Sequence, residues 1–513
     1  MDRLWAFLAA MLPALAALLV PMPAVDLAYQ LRAGSEILGG PGIPTVDTWT
    51  FTVAGTPWLD QQWGAQVLLR LTFDAVGWTG LAVLRALLLF VTFGLVFGAA
   101  RRASGGAMPA AWLAILALAA FVVAAPALAL RPQLFAIVLF AIVLSLLVGR
   151  FERPNRVWLI VPIALAWANL HGSFPLVLVL VGLAALDDAL RRRWPDAIQL
   201  AVVGGVAALA TLVNPFGLDV WGYVLNLASN PTIASQVSEW RPPSPREGAG
   251  SLFYGSLVAF GLVAIGALAF ARRSGRATIP TTAIAPLLTL AAFAGLGVIT
   301  GRGLAWWALA APVALASIVG VAAGTDVRRP GDASVAGPTW VPEALRPIPA
   351  TERPRALNAV IVVVLLIAFV ALLPSWRPVG PAGVPEGLLS HAPQGIAAAF
   401  SDLADRGRLR LRHNIWNPQL WGSWLELIVP DRPVALDSRL ELFPPSIWAD
   451  AETIATGADG WQALLVRYRV GIVVVSADQT ALSQALAASG QWVAQYRDAD
   501  GSIWTQILLE ASR

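Results

Sequence analysis

Carboxylates and tryptophans that could do chemistry stand together in residues 26–63, near the start of the chain. Asp26 opens this segment and could act as a general base that takes a proton from an acceptor hydroxyl. Asp47 could assist it, although a Val-Asp-Thr sequence is equally typical of a turn in which the carboxylate accepts backbone hydrogen bonds. Trp49 and Trp58 could contact a substrate, and their presence argues against a disordered segment.

Two arginines, Arg131 and Arg302, stand in short polar turns between apolar segments. A fixed cation at such a place suits a phosphate group, which a guanidinium can bind through two hydrogen bonds. Gly301 and Gly303 flank Arg302 and would let a backbone approach closely. Alternatively, either side chain could simply extend along a membrane interface to reach water.

His171, Glu239 and Trp240 also stand in polar connectors. His171 could exchange a proton near pH 7, although a lone histidine beside a glycine is about as often a packing residue. Glu239 could orient a hydroxyl while Trp240 stacks on a ring. The alternative for this pair is an interfacial aromatic residue with a solvated neighbour.

Metal and cofactor chemistry has little support in the composition. The chain has no cysteine and three histidines, so we expect no zinc site. It has no lysine, which excludes a Schiff-base lysine and a P-loop. Asp26 and Asp47 could together hold a divalent cation through oxygen ligands, and no other cofactor is predicted. Asp60 is expected to be solvated, and Asp187 and Asp188 to balance nearby arginines.

The composition indicates a membrane protein. Of 513 residues, 57% are hydrophobic and 13% are charged, and the mean hydropathy is +0.68. A soluble domain carries about 25% charged residues. The net charge of +4 is modest, so we expect no nucleic-acid partner.

Eleven apolar segments are each near the length that crosses a bilayer. The predicted helices cover residues 4–21, 79–100, 108–128, 133–149, 157–170, 173–190, 196–213, 252–271, 281–300, 304–323 and 357–373.

Arginines predict the orientation. One set of alternate connectors carries 17 arginines, and the opposite set carries six. Because positive residues stay in the cytoplasm, we expect a multi-pass protein of the cell membrane with a cytoplasmic N-terminus. Everything after residue 373 would then lie outside the cytoplasm, and the longest cytoplasmic connector, 327–355, would be an unstructured linker.

The sequence predicts two domains. Residues 1–375 would form the transmembrane domain, with a large first external loop at 23–78, and residues 376–513 would form an extracytoplasmic α/β domain. Because no catalytic set stands out there, with His391 and His413 lacking an evident partner acid, we expect it to bind the acceptor or to dock. The predicted elements are helices at 395–404, 461–468 and 478–489, the last capped by Asp478, and strands at 409–415, 432–437, 470–476, 492–497 and 502–507.

The order of several motifs resembles that of bacterial polytopic membrane proteins of the GT-C glycosyltransferase superfamily. The longest stretch, residues 43–58, reads I-P-T-V-D-T-W-T-F-T-V-A-G-T-P-W. The shorter motifs are Arg131-Pro132-Gln133, Asn169-Leu170-His171-Gly172, Asn214-Pro215-Phe216-Gly217, Glu239-Trp240, Trp421-Gly422-Ser423-Trp424-Leu425 and Leu436-Asp437-Ser438-Arg439.

The resemblance implies a helical membrane fold and transfer of a sugar from a polyprenyl-phosphate donor in the bilayer to a glycan, lipid or protein acceptor. Asp26 matches the catalytic carboxylate that the superfamily carries in its first external loop, and Trp49 and Trp58 would then stack on sugar. The chain departs from the family pattern at Gln62-Trp63, where relatives have Glu-Trp, and at Tyr29-Gln30, where they have a Trp-His-like pair.

A non-catalytic assembly factor or a transporter of cell-envelope glycolipid is the alternative function. A transporter should carry polar residues at the middle of the membrane and paired broken helices related by a repeat. The polar residues of this chain gather instead at one predicted membrane face, and no such repeat is evident. These features favour the enzyme.

Overall fold

The computed structural model describes residues 2–40, 42–229, 238–273, 281–325, 355–406 and 414–507. The chain divides into two compact units. Unit one comprises Met1–Leu19 and Ala82–Leu373, and unit two comprises Val20–Leu81 and Pro374–Arg513. The large first loop is therefore grouped with the C-terminal region, whereas the predicted division into 1–375 and 376–513 follows the order of the sequence.

Up to residue 371 the described elements are mainly helices, with one two-residue strand near the start of the chain. In chain order they begin with α1 (Asp2–Leu19), β1 (Met22–Pro23), α2 (Ala24–Gly39), α3 (Trp63–Ala103), α4 (Ala110–Ala124), α5 (Pro132–Val148), α6 (Ile160–Leu170), α7 (Leu176–Leu190) and α8 (Trp194–Ala210). They continue with α9 (Asp219–Ser229), α10 (Gly248–Arg273), α11 (Ile284–Ile299), α12 (Gly303–Ala323) and α13 (Arg355–Ala371).

All eleven predicted apolar segments fall on helices. Seven helices of the described residues are long and apolar enough to cross a bilayer, namely α1, α3, α4, α5, α10, α11 and α12 with their short extensions. The other four predicted segments form the shorter helices α6, α7, α8 and α13. The chain is a multi-pass membrane protein, and the predicted helical fold is confirmed.

Helix α3 spans 41 residues, which at 1.5 Å per residue is about 60 Å and twice the hydrocarbon thickness. Gly77 interrupts it with a φ of 63°, a conformation that residues with a Cβ rarely adopt. Residues 78–103 match the predicted second span, and residues 63–76 form a separate helical segment before it. With α2, this segment makes much of the predicted first loop helical.

Helix α12 lies at the centre of unit one. It packs against α4, α10 and α11, and nearly all of its residues are buried. Arg150, which follows α5, binds Asp187 at 2.5 Å and Asp188 at 2.9 Å, and Arg191 binds Asp187 at 2.9 Å. The two aspartates therefore balance arginines, as predicted.

Unit two continues after residue 374 with a small α/β arrangement. Its elements are β2 (Leu389–Ser390), α14 (Gln394–Asp405), β3 (Asn414–Trp416), α15 (Gln419–Ile428), α16 (Pro445–Thr456), α17 (Trp461–Arg467), β4 (Val470–Ser476), α18 (Thr480–Ala488), β5 (Trp492–Arg497) and β6 (Gly501–Gln506). The sheet order is β3-β4-β6-β5, with β3 parallel to β4 and the other pairs antiparallel.

Strand β4 explains the core of this sheet. Its continuous apolar sequence buries Val473 and Val475 in one hydrophobic cluster and Ile472 and Val474 in another. A strand buried on both faces has no need for polar alternation. The first cluster also contains Trp49 and Trp58, so the first loop and the C-terminal region share one core.

The structure departs from two predictions for the C-terminal region. Residues 432–437 form isolated β-bridges at Val434 instead of the predicted strand. The side chain of Asn417 hydrogen-bonds the N–H of Ala435 and the carbonyl of Leu436, so these backbone groups are not available to a neighbouring strand. The predicted Asp478 cap is wrong, since α18 starts at Thr480 after Gln479 and no side chain caps it. Residues 409–413 of a predicted strand, which include His413, lie outside the described residues. The same holds for residues 327–354 of the predicted linker 327–355, which precedes α13.

Candidate functional site

In unit one, the two arginines singled out from the sequence meet at one carboxylate. Arg131 Nη2 donates to both oxygens of Glu239 at 3.0 Å, and Arg302 Nε lies 3.6 Å from Glu239 Oε2. Two guanidinium groups and one carboxylate leave a formal excess of one positive charge. Arg302 is one-third exposed, so the cluster remains accessible.

Backbone contacts hold these side chains in place. Arg302 precedes α12, and its N–H donates to the carbonyl of Glu239 at 2.9 Å. The Thr300 hydroxyl donates to the same carbonyl at 3.0 Å. A Cβ on Gly303 would lie 2.3 Å from the carbonyl oxygen of Leu296, so only glycine fits the turn into α12. Glycine next to Arg302 therefore serves close backbone packing, as the sequence indicated.

Arg131 stands just before α5, whose first residue is Pro132. Proline is favoured at the first helical position because its missing N–H would have no partner there. The N-termini of α5 and α12, which are the positive ends of the two helix dipoles, therefore lie beside these two arginines. Both features favour an anion near the cluster.

Trp240 and His171 complete the group. The Arg302 guanidinium lies 4.3 Å from the centre of the Trp240 ring, a cation–π contact that fixes the arginine. Burial, followed by the charges of Arg302 and Arg131, lowers the pKa of His171 to about 3. The imidazole is therefore neutral at pH 7, which argues against the predicted proton exchange near that pH.

The tautomer of His171 follows from its neighbours. Its Nδ1 accepts the backbone N–H of Ser173 at 3.1 Å and lies 2.8 Å from the Ser173 hydroxyl. A nitrogen that accepts cannot carry the proton, so Nε2 carries it and is a donor. Five of the residues predicted from sequence thus come together in unit one.

In unit two, Asp26 lies in the first turn of α2 and is partly exposed. A carboxylate there is stabilised by the positive end of the helix dipole. The carbonyl of the preceding residue, Val25, accepts the hydroxyl of Ser438 at 2.8 Å. The start of α2 is therefore tied to the Leu-Asp-Ser-Arg motif of the C-terminal region.

Asp47 makes the predicted turn. Its Oδ1 accepts the N–H of Trp49 at 3.3 Å, and its Oδ2 accepts the Thr50 N–H at 3.2 Å and hydroxyl at 2.6 Å. In addition, Arg439 Nη2 donates to Asp47 Oδ1 at 2.6 Å. Asp47 is 1% exposed, so this geometry favours a structural role over contact with a substrate or a cation.

Arg439 is the centre of a buried ion cluster. Its Nε donates to Asp437 Oδ2 at 2.8 Å, and its Nη2 lies 3.8 Å from Glu426 Oε1. Although burial opposes it, the carboxylates of Asp437, Glu426 and Asp47 raise the pKa of Arg439. Burial, followed by the charge of Asp437, raises the pKa of Glu426 well above its ordinary value.

Trp49 and Trp58 pack against Arg439 of the buried ion cluster. Their rings pack edge to face at 5.1 Å, and the Arg439 guanidinium lies 4.3 and 4.5 Å from the two ring centres. Arg32 lies 4.6 Å from the Trp49 ring. Trp49 is 1% and Trp58 5% exposed, so both rings are part of the core rather than of an open surface.

The two positions that depart from the family pattern contact each other. Gln30 Nε2 donates to Gln62 Oε1 at 2.9 Å. Close by in the chain, Asp60 is 3% exposed and accepts a hydrogen bond from Gln66 Nε2 at 2.6 Å. Burial, opposed in part by that hydrogen bond, raises the pKa of Asp60 to about 7. The expectation of a solvated Asp60 is wrong.

Sequence reasoning missed the ion cluster of Arg439, Asp437 and Glu426 in this arrangement. Asp47 and Arg439 are separated by 392 residues, so no local spacing could connect them. The Leu-Asp-Ser-Arg motif was the one available indication. Within the described part of the chain, no group of three or more His, Cys, Asp or Glu residues could hold a metal ion.

Solved structures provide a comparison for the whole chain. The oligosaccharyltransferase of Archaeoglobus fulgidus, tethered to an acceptor peptide with the NVT sequon, is 11% identical with a TM-score of 0.54. The match covers 98% of this chain and 74% of that chain. AglB of the same organism, in complex with an inhibitory peptide and a dolichol-phosphate, is 11% identical with a TM-score of 0.53, covering 92% of this chain and 69% of that chain.

ArnT from Cupriavidus metallidurans, bound to undecaprenyl phosphate, is 16% identical with a TM-score of 0.47 over 98% of each chain. No protein-family model and no curated protein sequence matches this chain. At these identities the likeness concerns the fold alone. The oligosaccharyltransferase matches show that the chain shares the fold of those proteins, and the predicted helical membrane fold with a C-terminal α/β region is confirmed.

Proposed function

We propose that this protein is a membrane glycosyltransferase that moves a sugar from a polyprenyl-phosphate donor to an extracytoplasmic acceptor. The observation that carries the proposal is the cluster of Arg131, Glu239 and Arg302 in unit one. Its excess positive charge, together with the two helix N-termini beside it, suits the phosphate of a lipid-linked donor. The fold similarity to AglB, whose structure contains a dolichol-phosphate, supports the same chemistry.

Arg302 would bind the phosphate directly, while Glu239 holds Arg131 and limits the excess charge. A guanidinium that already stacks on Trp240 has few conformations left, so it loses little entropy when it binds an anion. The Nε2–H of the neutral His171 would donate to a phosphate oxygen. Stabilising the leaving phosphate in this way is electrostatic catalysis by preorganised donors.

Asp26 would act as the general base toward the acceptor hydroxyl. Its partial exposure at the start of α2 supports access by an acceptor. We assign Asp47, Trp49 and Trp58 to the support of the first loop, since their contacts with Arg439 bury them. A divalent cation bound by Asp26 and Asp47 receives no support from this geometry, because Arg439 occupies Asp47 Oδ1.

The topology is part of the proposal. The N-terminus would be cytoplasmic, and the C-terminal region would lie outside the cytoplasm, in agreement with the distribution of arginines. The arginine cluster at Glu239 would then face the extracytoplasmic side. The cluster of Arg150 with Asp187 and Asp188 would face the cytoplasm.

The test is release of labelled sugar from lipid-linked donors by the protein in reconstituted vesicles. Asp26→Asn keeps the shape and removes the base, so the rate should fall about 10²–10⁴-fold. Arg302→Ala should chiefly raise the KM for the lipid donor. Asp74→Asn and Arg101→Ala are matched controls, since each changes one half of an exposed ion pair.

Two results would contradict the proposal. If Asp26→Asn turned over as fast as the wild type, Asp26 would not be the base. If the wild type released no sugar from any lipid-linked donor tested, the non-catalytic alternative, an assembly factor or a glycolipid transporter, would be favoured. Binding of polyprenyl phosphate without turnover would point to that alternative as well.

A further inference from the structure

A pocket of about 380 Å³ lies in unit two, and none of the ionic residues of the Arg439 cluster lines it. It opens at the end of the sheet where β4 and β5 begin and β6 ends, and α17 forms its wall. The lining residues are Gln462, Leu465, Val466, Arg469, Val470, Gly471, Gln491, Trp492 and Gln506. None of the roles assigned so far involves this pocket.

The strand register explains why these residues meet. Trp492 in β5 lies directly opposite Gln506 in β6, and Ile472 in β4 lies opposite Thr505. Residues directly opposite each other in antiparallel strands place their side chains on the same face. Gln506 therefore stands beside Trp492, whose ring belongs to the same hydrophobic cluster as Leu465 of α17.

The pocket has an apolar floor and a polar rim. Leu465, Val470 and Trp492 are almost fully buried and form the floor. Three amides, Gln462, Gln491 and Gln506, stand at the exposed rim. Among described residues, none of these three side chains has a hydrogen-bond partner. Each amide can both donate and accept, as neighbouring sugar hydroxyls require.

Arg469 supplies the only charge on this rim within the described part of the chain. It follows α17 with a φ of 52°, a left-handed conformation in which glycine is usual at a helix end. No described carboxylate pairs with it, in contrast to Arg467 two residues earlier, which lies 3.6 Å from Asp450. An arginine at a position that favours glycine, with no ion pair to a described residue, points to a role for its side chain.

We propose that this pocket binds a saccharide unit that carries an anionic group, a carboxylate or a phosphate. The three amides would bind hydroxyls, Arg469 would bind the anion through its guanidinium fork, and the apolar floor would contact the C–H face of the ring. The volume lies in the range of about 300–1,000 Å³ typical of small-molecule sites. In a glycosyltransferase, this saccharide would be part of the acceptor. Only that identification rests on the proposed function.

Saturation-transfer NMR on the full chain in lipid nanodiscs tests the binding without any donor lipid. The probes are glucuronate and glucose 6-phosphate as anionic sugars, with glucose as the neutral counterpart. We expect saturable signals for at least one anionic sugar and weaker signals for glucose. Arg469→Gly should reduce the anionic signal at least tenfold, and it suits the left-handed backbone, so the fold should be kept.

Two further variants sharpen the test. Gln506→Glu keeps the size of the side chain and adds a negative charge, so it should weaken binding of the anionic sugars more than that of glucose. Arg467→Ala is the matched control on the same helix turn and should leave binding unchanged. Equal binding by the wild type and Arg469→Gly would overturn the proposal, as would the absence of saturable binding of both anionic sugars to the wild type.

The outcome is separable from that of the transfer assay. Anionic sugar binding that depends on Arg469, in a protein that releases no sugar from lipid donors, supports the pocket and contradicts the glycosyltransferase. Turnover without any binding at the pocket contradicts the pocket and leaves the glycosyltransferase supported.

Discussion

Replacing Asp60 by asparagine is expected to stabilise the protein, by an amount that grows as the pH rises. Asp60 is buried, and its Oδ1 accepts a hydrogen bond from Gln66 Nε2 at 2.6 Å. An asparagine oxygen can accept the same bond. The substitution therefore removes the ionisable group while keeping its size and its known partner.

The magnitude follows from the pKa. Burial raises the pKa of Asp60 from 3.8 to about 7, so the folded protein holds a proton that the unfolded chain releases at lower pH. Because the folded state binds more protons between pH 3.8 and about 7, stability falls as the pH rises through that window. A shift of about three units corresponds to a ceiling of about 4 kcal/mol, reached above the folded pKa.

Thermal unfolding followed by tryptophan fluorescence between pH 4 and pH 8 measures this effect. The Tm values of the wild type and Asp60→Asn should nearly coincide at pH 4 and diverge as the pH rises, with the variant higher. The raised pKa of Glu426 is common to both proteins, so its contribution cancels in the difference. Asp74→Asn is the control and should show no divergence, because Asp74 is exposed. A constant Tm difference across the pH range would refute the reasoning.

Two other predictions concern the Arg439 cluster and the topology. Arg439→Met leaves three acidic side chains buried without their cation, so it should lower the free energy of unfolding by about 3–5 kcal/mol, measured as a loss of Tm. The control Arg467→Ala should change Tm little, and equal effects of the two substitutions would contradict the cluster's role. Because the chain has no cysteine, a single introduced cysteine reports its own position. Ser489→Cys should react with a membrane-impermeant thiol reagent in intact cells, and Ser334→Cys should not. The reverse pattern would contradict the predicted orientation.

The membrane helices could be predicted from sequence because the bilayer imposes a simple requirement. An apolar run near twenty residues long has few alternatives to a helix, and β4 could be predicted for a similar reason. The ends of elements differ from the prediction. Gln479 rather than Asp478 precedes α18, and residues 432–437 bond to the side chain of Asn417 instead of forming a strand. Such local choices depend on partners far away in the sequence.

The candidate site divides in the same way. Arg131, Arg302 and Glu239 could be singled out because the predicted topology places their connectors at the same membrane face. The surroundings of Asp47, Trp58 and Asp60 could not. These residues lie in a long segment that is buried through its contacts with the C-terminal region. In one such contact, Asp47 and Arg439 are 392 positions apart in the sequence. From sequence alone they look like exposed loop residues.

The pairing of Gln30 with Gln62 changes the meaning of the departures from the family pattern. Each position alone suggests the loss of an ionisable residue, but the two side chains bind each other at 2.9 Å, so they form one matched polar contact. A matched pair preserves the packing of α2 against the start of α3 without requiring a charge there. The departures therefore need not disturb the helix that carries Asp26.

The C-terminal region also holds the first loop in place. Ser438 binds the carbonyl of Val25 immediately before Asp26, and the next residue, Arg439, binds Asp47 and stacks on the two tryptophans of the first loop. One short motif thus holds both the start of α2 and the turn at Asp47. The contact of Arg439 with Asp47 is buried and charged, and the neutral contact of Ser438 with Val25 comes from the residue before it, so the position of Asp26 depends on the fold of a region more than 400 residues away in the sequence.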